Sequence, residues 1–205
     1  MIRKPLLLII LIHTSFLCLA QGKWVLTKDQ DGIKIYTRKL NTGKFKEVKV
    51  NFELAATENQ LIGVLQNINH HKDWSYGTKR TYLISRKGKD TLIYYSEISL
   101  PWPLSNRDLV IELSFKKDTL NKMLHIRAKS IPGVVAVKSG LVRVPYSLAS
   151  WDVTPMPNKV LKIEYILSAD PGGALPAWLV NLSANVGPYN SFTKLRSIIQ
   201  KQNIN

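Results

Sequence analysis

A glutamate and an arginine flank a proline-rich connection between two apolar segments of the chain. Glu97 lies in the first segment, and Arg107 and Asp108 open the second, on either side of Pro101-Trp102-Pro103. Side chains alternate along a strand, so Tyr95 and Glu97 should share one face. If that face lines the interior, the charge of Glu97 needs a partner, and Arg107 is the obvious candidate. The alternative is a surface ion pair that only fixes the connection.

Few other residues indicate chemistry. Beyond the N-terminal segment the histidines are His70, His71 and His125. His70 and His71 are adjacent, so on a helix they would point in different directions, and we expect a surface role for both rather than metal ligation. Motifs of metalloproteases, redox cysteines, nucleophile elbows and phosphate loops are absent from the sequence. We therefore expect no metal, no cofactor and no catalytic constellation.

The N-terminus has the order of an export signal. Arg3 and Lys4 precede an apolar run over 6–12, and Cys18 and Ala20 are small residues at the spacing that a signal peptidase needs. This pattern predicts a signal peptide over 1–20 and a protein that works in the periplasm or is secreted. If the signal were retained, the domain would be tethered to a membrane. Cleavage would also remove the only cysteine, and with it any disulfide.

The remaining chain is strongly basic. The full net charge is +15, and loss of Arg3 and Lys4 leaves +13. Such a charge favours anionic partners, such as the surface of an anionic membrane, although the scattered lysines and arginines also fit an ordinary solvated surface. Export and the lack of a basic patch interleaved with aromatic residues argue against nucleic acid.

The elements that would position these residues follow an α+β order. Asp31-Gly32 predicts a hairpin turn, and Thr57 to Gln60 form a capping box before a helix. A helix of about 25 residues, interrupted only near Gly187-Pro188, should follow Pro176 and carry one apolar stripe. Strands are expected near 45–54, 78–86, 91–100, 108–116, 121–129, 141–154 and 159–168. A curved antiparallel sheet wrapped around the terminal helix is the economical packing.

Several of these segments resemble the START (StAR-related lipid-transfer) domain, a helix-grip fold of the Bet v 1-like superfamily. The resemblance rests on the order of the Asp31-Gly32 hairpin, Asp73-Trp74, Pro101-Trp102-Pro103 with Asn106-Arg107-Asp108, and Asp170-Pro171-Gly172-Gly173. It covers residues 23–202 as one domain. An export signal is not typical of the eukaryotic cytosolic members and suggests a bacterial envelope protein.

The resemblance implies a monomer that binds a lipid or another hydrophobic small molecule in an internal cavity and carries it. Glu97 and Arg107 would be the polar pair that touches the ligand. The opening would be the terminal helix or the loop around Ile131–Val135. The implied cavity wall consists of Tyr95, Ile163, Tyr165, Trp178, Leu182, Val186, Tyr189 and Phe192. For each apolar residue of this wall, ordinary core packing is the alternative.

An enzyme is the main alternative function. The same superfamily includes aromatase/cyclase-like members that act on polyketides in the cavity. Such an enzyme needs a placed acid or base, and Glu97, Tyr95 and Tyr165 are the candidates in this sequence.

Overall fold

A single sheet dominates the computed structural model, which describes residues 22–40, 44–182 and 184–202. The predicted signal peptide lies outside these residues. The strands are β1 (Val25–Gln30), β2 (Ile33–Lys39), β3 (Lys46–Ala55), β4 (Thr78–Lys87), β5 (Thr91–Ile98), β6 (Asn106–Asp118), β7 (Met123–Ser130), β8 (Leu141–Arg143), β9 (Tyr146–Met156) and β10 (Val160–Asp170). The helices are α1 (Glu58–Gln66), α2 (His71–Trp74), α3 (Ala177–Leu182) and α4 (Val186–Gln202). The predicted α+β class is confirmed.

The order of the strands is β1-β2-β3-β10-β9-β7-β6-β5-β4, and neighbours along this path are antiparallel. The short strand β8 pairs in parallel with the start of β6. Strand β10 therefore joins the N-terminal strands β1–β3 to the rest of the sheet. It places the end of the chain beside the beginning.

Local sequence signals explain the ends of two elements. Asp31 and Gly32 both have positive φ, at 52° and 71°, which suits the tight turn between β1 and β2. Thr57 caps helix α1: Gln60 N donates to Thr57 Oγ1 at 3.3 Å, and Thr57 N donates to Gln60 Oε1 at 2.8 Å. The predicted hairpin and capping box are both confirmed.

One face of the sheet, here called the inner face, packs against helices α1 and α4. Helix α4 buries Phe192, Leu195 and Ile199 on this side. The ring of Phe192 lies 4.8 Å from that of Phe52 and 5.3 Å from that of Trp151, measured between centroids. Burial of this apolar stripe is the main stabilisation that the helix can gain. The predicted grip of the sheet on a terminal helix is confirmed.

The C-terminal helix is divided, and the division lies a few residues before Gly187-Pro188, near which the sequence predicted an interruption. Helix α3 ends at Leu182 and α4 begins at Val186. The break does not fall at Gly187-Pro188, because Pro188 lies in the first turn of α4, where a missing N–H costs no intrahelical hydrogen bond. Among the described residues, none of the helices is both long and apolar enough to cross a bilayer.

The opposite, outer face of β4–β6 has a small apolar cluster of its own. Ile93, Tyr95 and Val110 are buried there, and Ile131 and Val135 of the loop after β7 pack against them. Both faces of β5 are therefore covered. Burial alone does not distinguish the inner face of this strand from the outer.

Candidate functional site

The first of two adjoining pockets lies at the end of the sheet where β6, β9 and β10 meet α3. It has a volume of about 410 Å³, and we call it the Arg107 pocket. Most of its wall is apolar, and Leu100 and Leu104 come from the loop between β5 and β6. Helix α3 contributes Val180 and Asn181, and the start of α4 contributes Pro188. The charged residues of its described wall are Lys46 and Arg107, both cationic. A mostly apolar pocket of this size with a few polar groups fits a small hydrophobic ligand with a polar end.

Arg107 is buried in the wall of this pocket, with only 5 % of its surface exposed. Its Nε donates to Pro171 O at 3.3 Å and its Nη2 to Gly172 O at 3.1 Å, and Nη1 donates to Ser105 O. Desolvation lowers the pKa of Arg107 from its usual value. Among the described residues it has no ion pair with an acidic side chain. Its charge is therefore held by carbonyl dipoles alone.

Two glycines form the turn that holds this arginine. Gly172 and Gly173 have φ of +68° and +65°, a region that other residues rarely adopt. A Cβ on Gly172 would lie 2.9 Å from Cδ of Pro145 and 3.0 Å from Arg143 O. A Cβ on Gly173 would lie 3.4 Å from Nη2 of Arg107. Glycine at both positions lets the turn after β10 approach β8 and the guanidinium closely.

The second pocket, the Trp74 pocket, has a volume of about 290 Å³. Aromatic residues from several elements line it, among them Trp74, Tyr94, Tyr165 and Phe192, together with His71. It shares wall residues with the Arg107 pocket, namely Ile98, Leu109, Ser147, Leu167 and Pro188. The two pockets therefore lie side by side between the inner face and the C-terminal helices.

The positions of Glu97 and Tyr95 correct the sequence-based interpretation. In the β5–β6 register Ile98 is opposite Arg107, and Glu97 is opposite Asp108. Ile98 and Arg107 line the Arg107 pocket on the inner face, so alternation places Glu97 and Tyr95 on the outer face. The two residues do share a face, as predicted, but it is the wrong one for the pockets. The predicted pair between Glu97 and Arg107 does not form.

Glu97 instead pairs with two cations of β4. Its carboxylate lies 3.2 Å from Lys79 Nζ and 2.8 Å from Arg80 Nη2. Burial alone would raise the pKa of Glu97, but the hydrogen bonds and charges of Lys79 and Arg80 outweigh it and hold this pKa below its usual value. Tyr95 stacks on Tyr82 at 4.9 Å between ring centroids. The side chains of Glu97 and Tyr95 therefore make their contacts on the outer face.

The loop after β7 covers that outer face and is held by Arg143. Nε and Nη2 of Arg143 donate to the two carboxylate oxygens of Asp108 at 2.8 and 3.0 Å. Its remaining N–H groups donate to Pro132 O, Val135 O and Ala136 O. This loop was one predicted opening of the cavity, but its residues are absent from the described walls of both pockets. Its contacts are those of a structural strap.

The other predicted wall residues have different positions. Tyr165 and Phe192 line the Trp74 pocket. Ile163 is buried in the main core, and Tyr189 packs beside that core with its hydroxyl donating to Asp31, so neither belongs to the described pocket walls. Val186 is 44 % exposed because α4 begins there. The side chains of Trp178 and Leu182 lie outside the described part of the structure.

Sequence reasoning missed the residues that give the Trp74 pocket its polar groups. His71 is 5 % exposed, so the predicted surface role for it is wrong, whereas His70 is exposed. Nε2 of His71 lies 2.8 Å from Leu65 O, a carbonyl that can only accept, so this nitrogen carries the proton. Burial lowers the pKa of His71 to about 4 despite this bond. The apolar neighbours Ile68 and Trp74 were the available signal for burial.

Acid–base candidates are sparse around the pockets. Of the three named from sequence, Glu97 and Tyr95 are on the outer face, and only Tyr165 reaches a pocket. Burial raises the pKa of Tyr165 far above neutrality, so its hydroxyl stays protonated. The described residues contain no cluster of histidine, cysteine, aspartate or glutamate that could hold a metal ion.

Comparison with known proteins gives a consistent result. The START domain family model matches residues 14–203. An uncharacterized protein of Pseudomonas aeruginosa is 28% identical over 180 residues, covering 87% of this chain and 88% of its own length. Human phosphatidylcholine transfer protein is 28% identical over 179 residues, covering 84% of this chain and 81% of its own. A STAR-related lipid transfer protein of Xanthomonas axonopodis superposes with a TM-score of 0.80 at 28% identity, covering 86% of this chain and 98% of that structure.

Proposed function

Because the chain belongs to the START domain family, we propose that it binds a phospholipid in its two pockets and transfers it between membranes. The observation that carries this proposal is the buried guanidinium of Arg107 in a mostly apolar wall, whose other charged residue is the cation Lys46. A phosphate or another anionic head group would supply the negative charge that the described protein residues do not. The acyl chains would occupy the apolar surface around it.

The hydrogen bonds of Arg107 support an anionic ligand. A guanidinium has five N–H donors, and backbone carbonyls take up three of them. Two donors are left for a ligand, and phosphate oxygens match the spacing of a guanidinium well. The name of one relative, phosphatidylcholine transfer protein, also favours a phospholipid.

The test compares two arginines in the same assay. We expect native mass spectrometry of protein expressed with its N-terminal segment to detect a co-purified phospholipid. Arg107→Gln should lower phospholipid affinity about 10- to 100-fold, the value of one or two charge-assisted hydrogen bonds. Arg127→Gln makes the same charge change at an exposed position of β7 and should leave affinity unchanged. Ligand-free protein that exchanges no fluorescent phospholipid between vesicles would contradict the proposal.

We place the site of membrane contact at the loop between β5 and β6. Trp102 is 92 % exposed in this loop, while Leu100, Pro101 and Leu104 beside it line the Arg107 pocket. Tryptophan favours the interface of a bilayer, and the net positive charge favours an anionic one. Trp102→Ala should slow exchange between anionic vesicles several-fold without lowering equilibrium affinity. Equal exchange rates for variant and wild type would place the contact elsewhere.

We further propose that the protein is exported and that cleavage follows Ala20. Intact-mass measurement of the protein from an envelope fraction should give a chain that begins at Gln21. A full-length mass in the membrane fraction would instead support a tethered form that handles lipid locally.

A further inference from the structure

The Trp74 pocket differs from the Arg107 pocket in having no charge. Its described lining residues include no lysine, arginine, aspartate or glutamate. Its one titratable base, His71, has a pKa lowered by burial to about 4 and is neutral at physiological pH. A charged ligand group would therefore find no counter-ion here. The pocket nevertheless contains several polar atoms.

Trp74, which lines this pocket, has a buried donor without a partner. Trp74 is 9 % exposed, and its Nε1 has no hydrogen-bond acceptor among the described residues. An indole N–H can only donate, and a buried donor left unpaired opposes folding. The nearby His71 ring packs edge-on against that of Trp74, at 5.1 Å between centroids, and this contact helps to fix the indole in place.

Two tyrosine hydroxyls add to this set. Tyr94 and Tyr165 line the same pocket, and no hydrogen bond from either hydroxyl is found within the described chain. Burial raises the pKa of both far above its usual value, so both keep their protons and can donate. The indole N–H can only donate, and each hydroxyl can turn its proton toward a ligand. A neutral acceptor can therefore be bound here, whereas a cation would find no carboxylate among the described lining residues.

We propose that the Trp74 pocket is a second subsite, which takes an uncharged hydrogen-bond acceptor of the ligand, such as an ester carbonyl oxygen. This inference rests on the proposed function, in which Arg107 holds the charged end of a phospholipid. The two pockets share wall residues, so one molecule can reach both. The Arg107 pocket then selects for charge and the Trp74 pocket for a carbonyl at a set distance from it.

Two lipids that differ only at this group test the subsite. The probes are phosphatidylglycerol with two ester-linked palmitoyl chains and the corresponding ether-linked lipid, which lacks both carbonyls. Wild-type protein should bind the ester about 3- to 10-fold more tightly, as expected for one hydrogen bond. Trp74→Phe keeps a ring but loses the N–H, and should bind both lipids equally. Trp24→Phe changes a tryptophan that contacts Arg38 and Lys49 instead, and should keep the preference.

The possible outcomes distinguish a failure of the subsite proposal from a failure of the proposed function. Binding of both lipids with equal affinity by the wild type would overturn the subsite and leave the phospholipid proposal standing. Loss of affinity for both lipids to the same degree in Trp74→Phe would likewise assign Trp74 to structure alone. Failure of the wild type to bind either lipid would overturn both proposals. If Trp74→Phe unfolds, Tyr94→Phe provides the same comparison and should reduce the ester preference.

Discussion

Arg107 and Asp108 are neighbours on β6, yet their side chains lie on opposite faces of the sheet and are paired in different ways. On the outer face Asp108 accepts two hydrogen bonds from Arg143, so both charges are neutralised. On the inner face Arg107 meets only backbone carbonyls. A neutralised pair stabilises the fold, whereas a cation without a counter-ion beside a pocket remains able to bind an anion.

The same contrast holds beyond these residues. Glu97 on the outer face is paired with Lys79 and Arg80. On the inner face His71 is neutral, and Trp74 has an unpaired N–H. The carboxylates of Glu97 and Asp108 on the outer face are therefore paired with cations of this chain, whereas Arg107 on the inner face has no acidic partner among the described residues. Variants on the two faces should separate stability from binding.

The largest effect is expected on the outer face. Asp108→Ala leaves Arg143, whose side chain is 8 % exposed, without its counter-ion. It should lower the free energy of unfolding by about 3–5 kcal/mol, measured by urea denaturation. The double replacement Asp108→Leu with Arg143→Met removes both charges and should recover part of this loss. A single variant as stable as the wild type would contradict a structural role for the pair.

A smaller effect on stability is expected from the titration of His71. The unfolded chain takes up a proton near the ordinary pKa of 6.5, but the folded protein only near 4, so unfolding is favoured as the pH falls through this window. Stability should fall by about 2 kcal/mol between about pH 7.5 and pH 5. His71→Asn should remove this dependence, whereas His70→Asn at the exposed neighbouring position should keep it. Equal acid sensitivity in all three proteins would exclude His71 as the cause.

A slight effect is expected at Glu97, whose partners are exposed cations. The lowered pKa of Glu97 gives a contribution to stability that is present above the ordinary pKa of a glutamate and is lost as the pH falls through the folded value. Glu97→Gln should therefore lower stability near neutral pH by a small fraction of the Asp108→Ala loss. Phospholipid affinity should not change. A large loss of phospholipid affinity would mean that Glu97 takes part in ligand binding.

The smallest effect on stability is expected for Arg107 itself. Arg107→Met removes a buried charge whose desolvation opposes folding, and this gain offsets the three lost hydrogen bonds to carbonyls. Its free energy of unfolding should stay within about 1 kcal/mol of the wild-type value, while phospholipid affinity falls. A loss comparable to that of Asp108→Ala would mean that Arg107, too, serves the fold.

Much of the fold could be predicted because its signals are local. The Asp31-Gly32 turn, the Thr57 capping box and the apolar positions of α4 each act over a few residues. Strand boundaries were mostly close, but the strand expected over 141–154 is divided into β8 and β9 around Val144 and Pro145. Proline lacks the N–H that a continuous strand would need there.

The inward face of β5 could not be predicted by the same reasoning. Residues 92–97 are all buried, since the loop after β7 covers the outer face of β5 and the main core covers its inner face. Apolar alternation is informative only where one face meets water. Which of Tyr94 and Tyr95 faces the pockets therefore depends on tertiary contacts. From the sequence, Tyr95 was assigned to the inner face, and with it Glu97.

The Trp74 pocket was missed for a related reason. His71 and Trp74 lie in a helix of a single turn, too short for periodicity to indicate a buried side. Their burial depends on β5 and α4, which are distant in sequence. Arg107, by contrast, was identified as the candidate partner of Glu97 and through the resemblance to the START domain, although Glu97 pairs with Lys79 and Arg80 instead.

The position of β10 between β3 and β9 also determines when the sheet can form during synthesis of the chain. Val48 of β3 pairs with Leu167 of β10, so the first three strands have no lasting partner until nearly the whole polypeptide has been synthesised. Contacts this distant in sequence slow folding, because a long loop must close before any of them forms. The nascent chain should therefore stay accessible to chaperones throughout translation, and truncation before residue 160 should leave the N-terminal hairpin without a sheet to join.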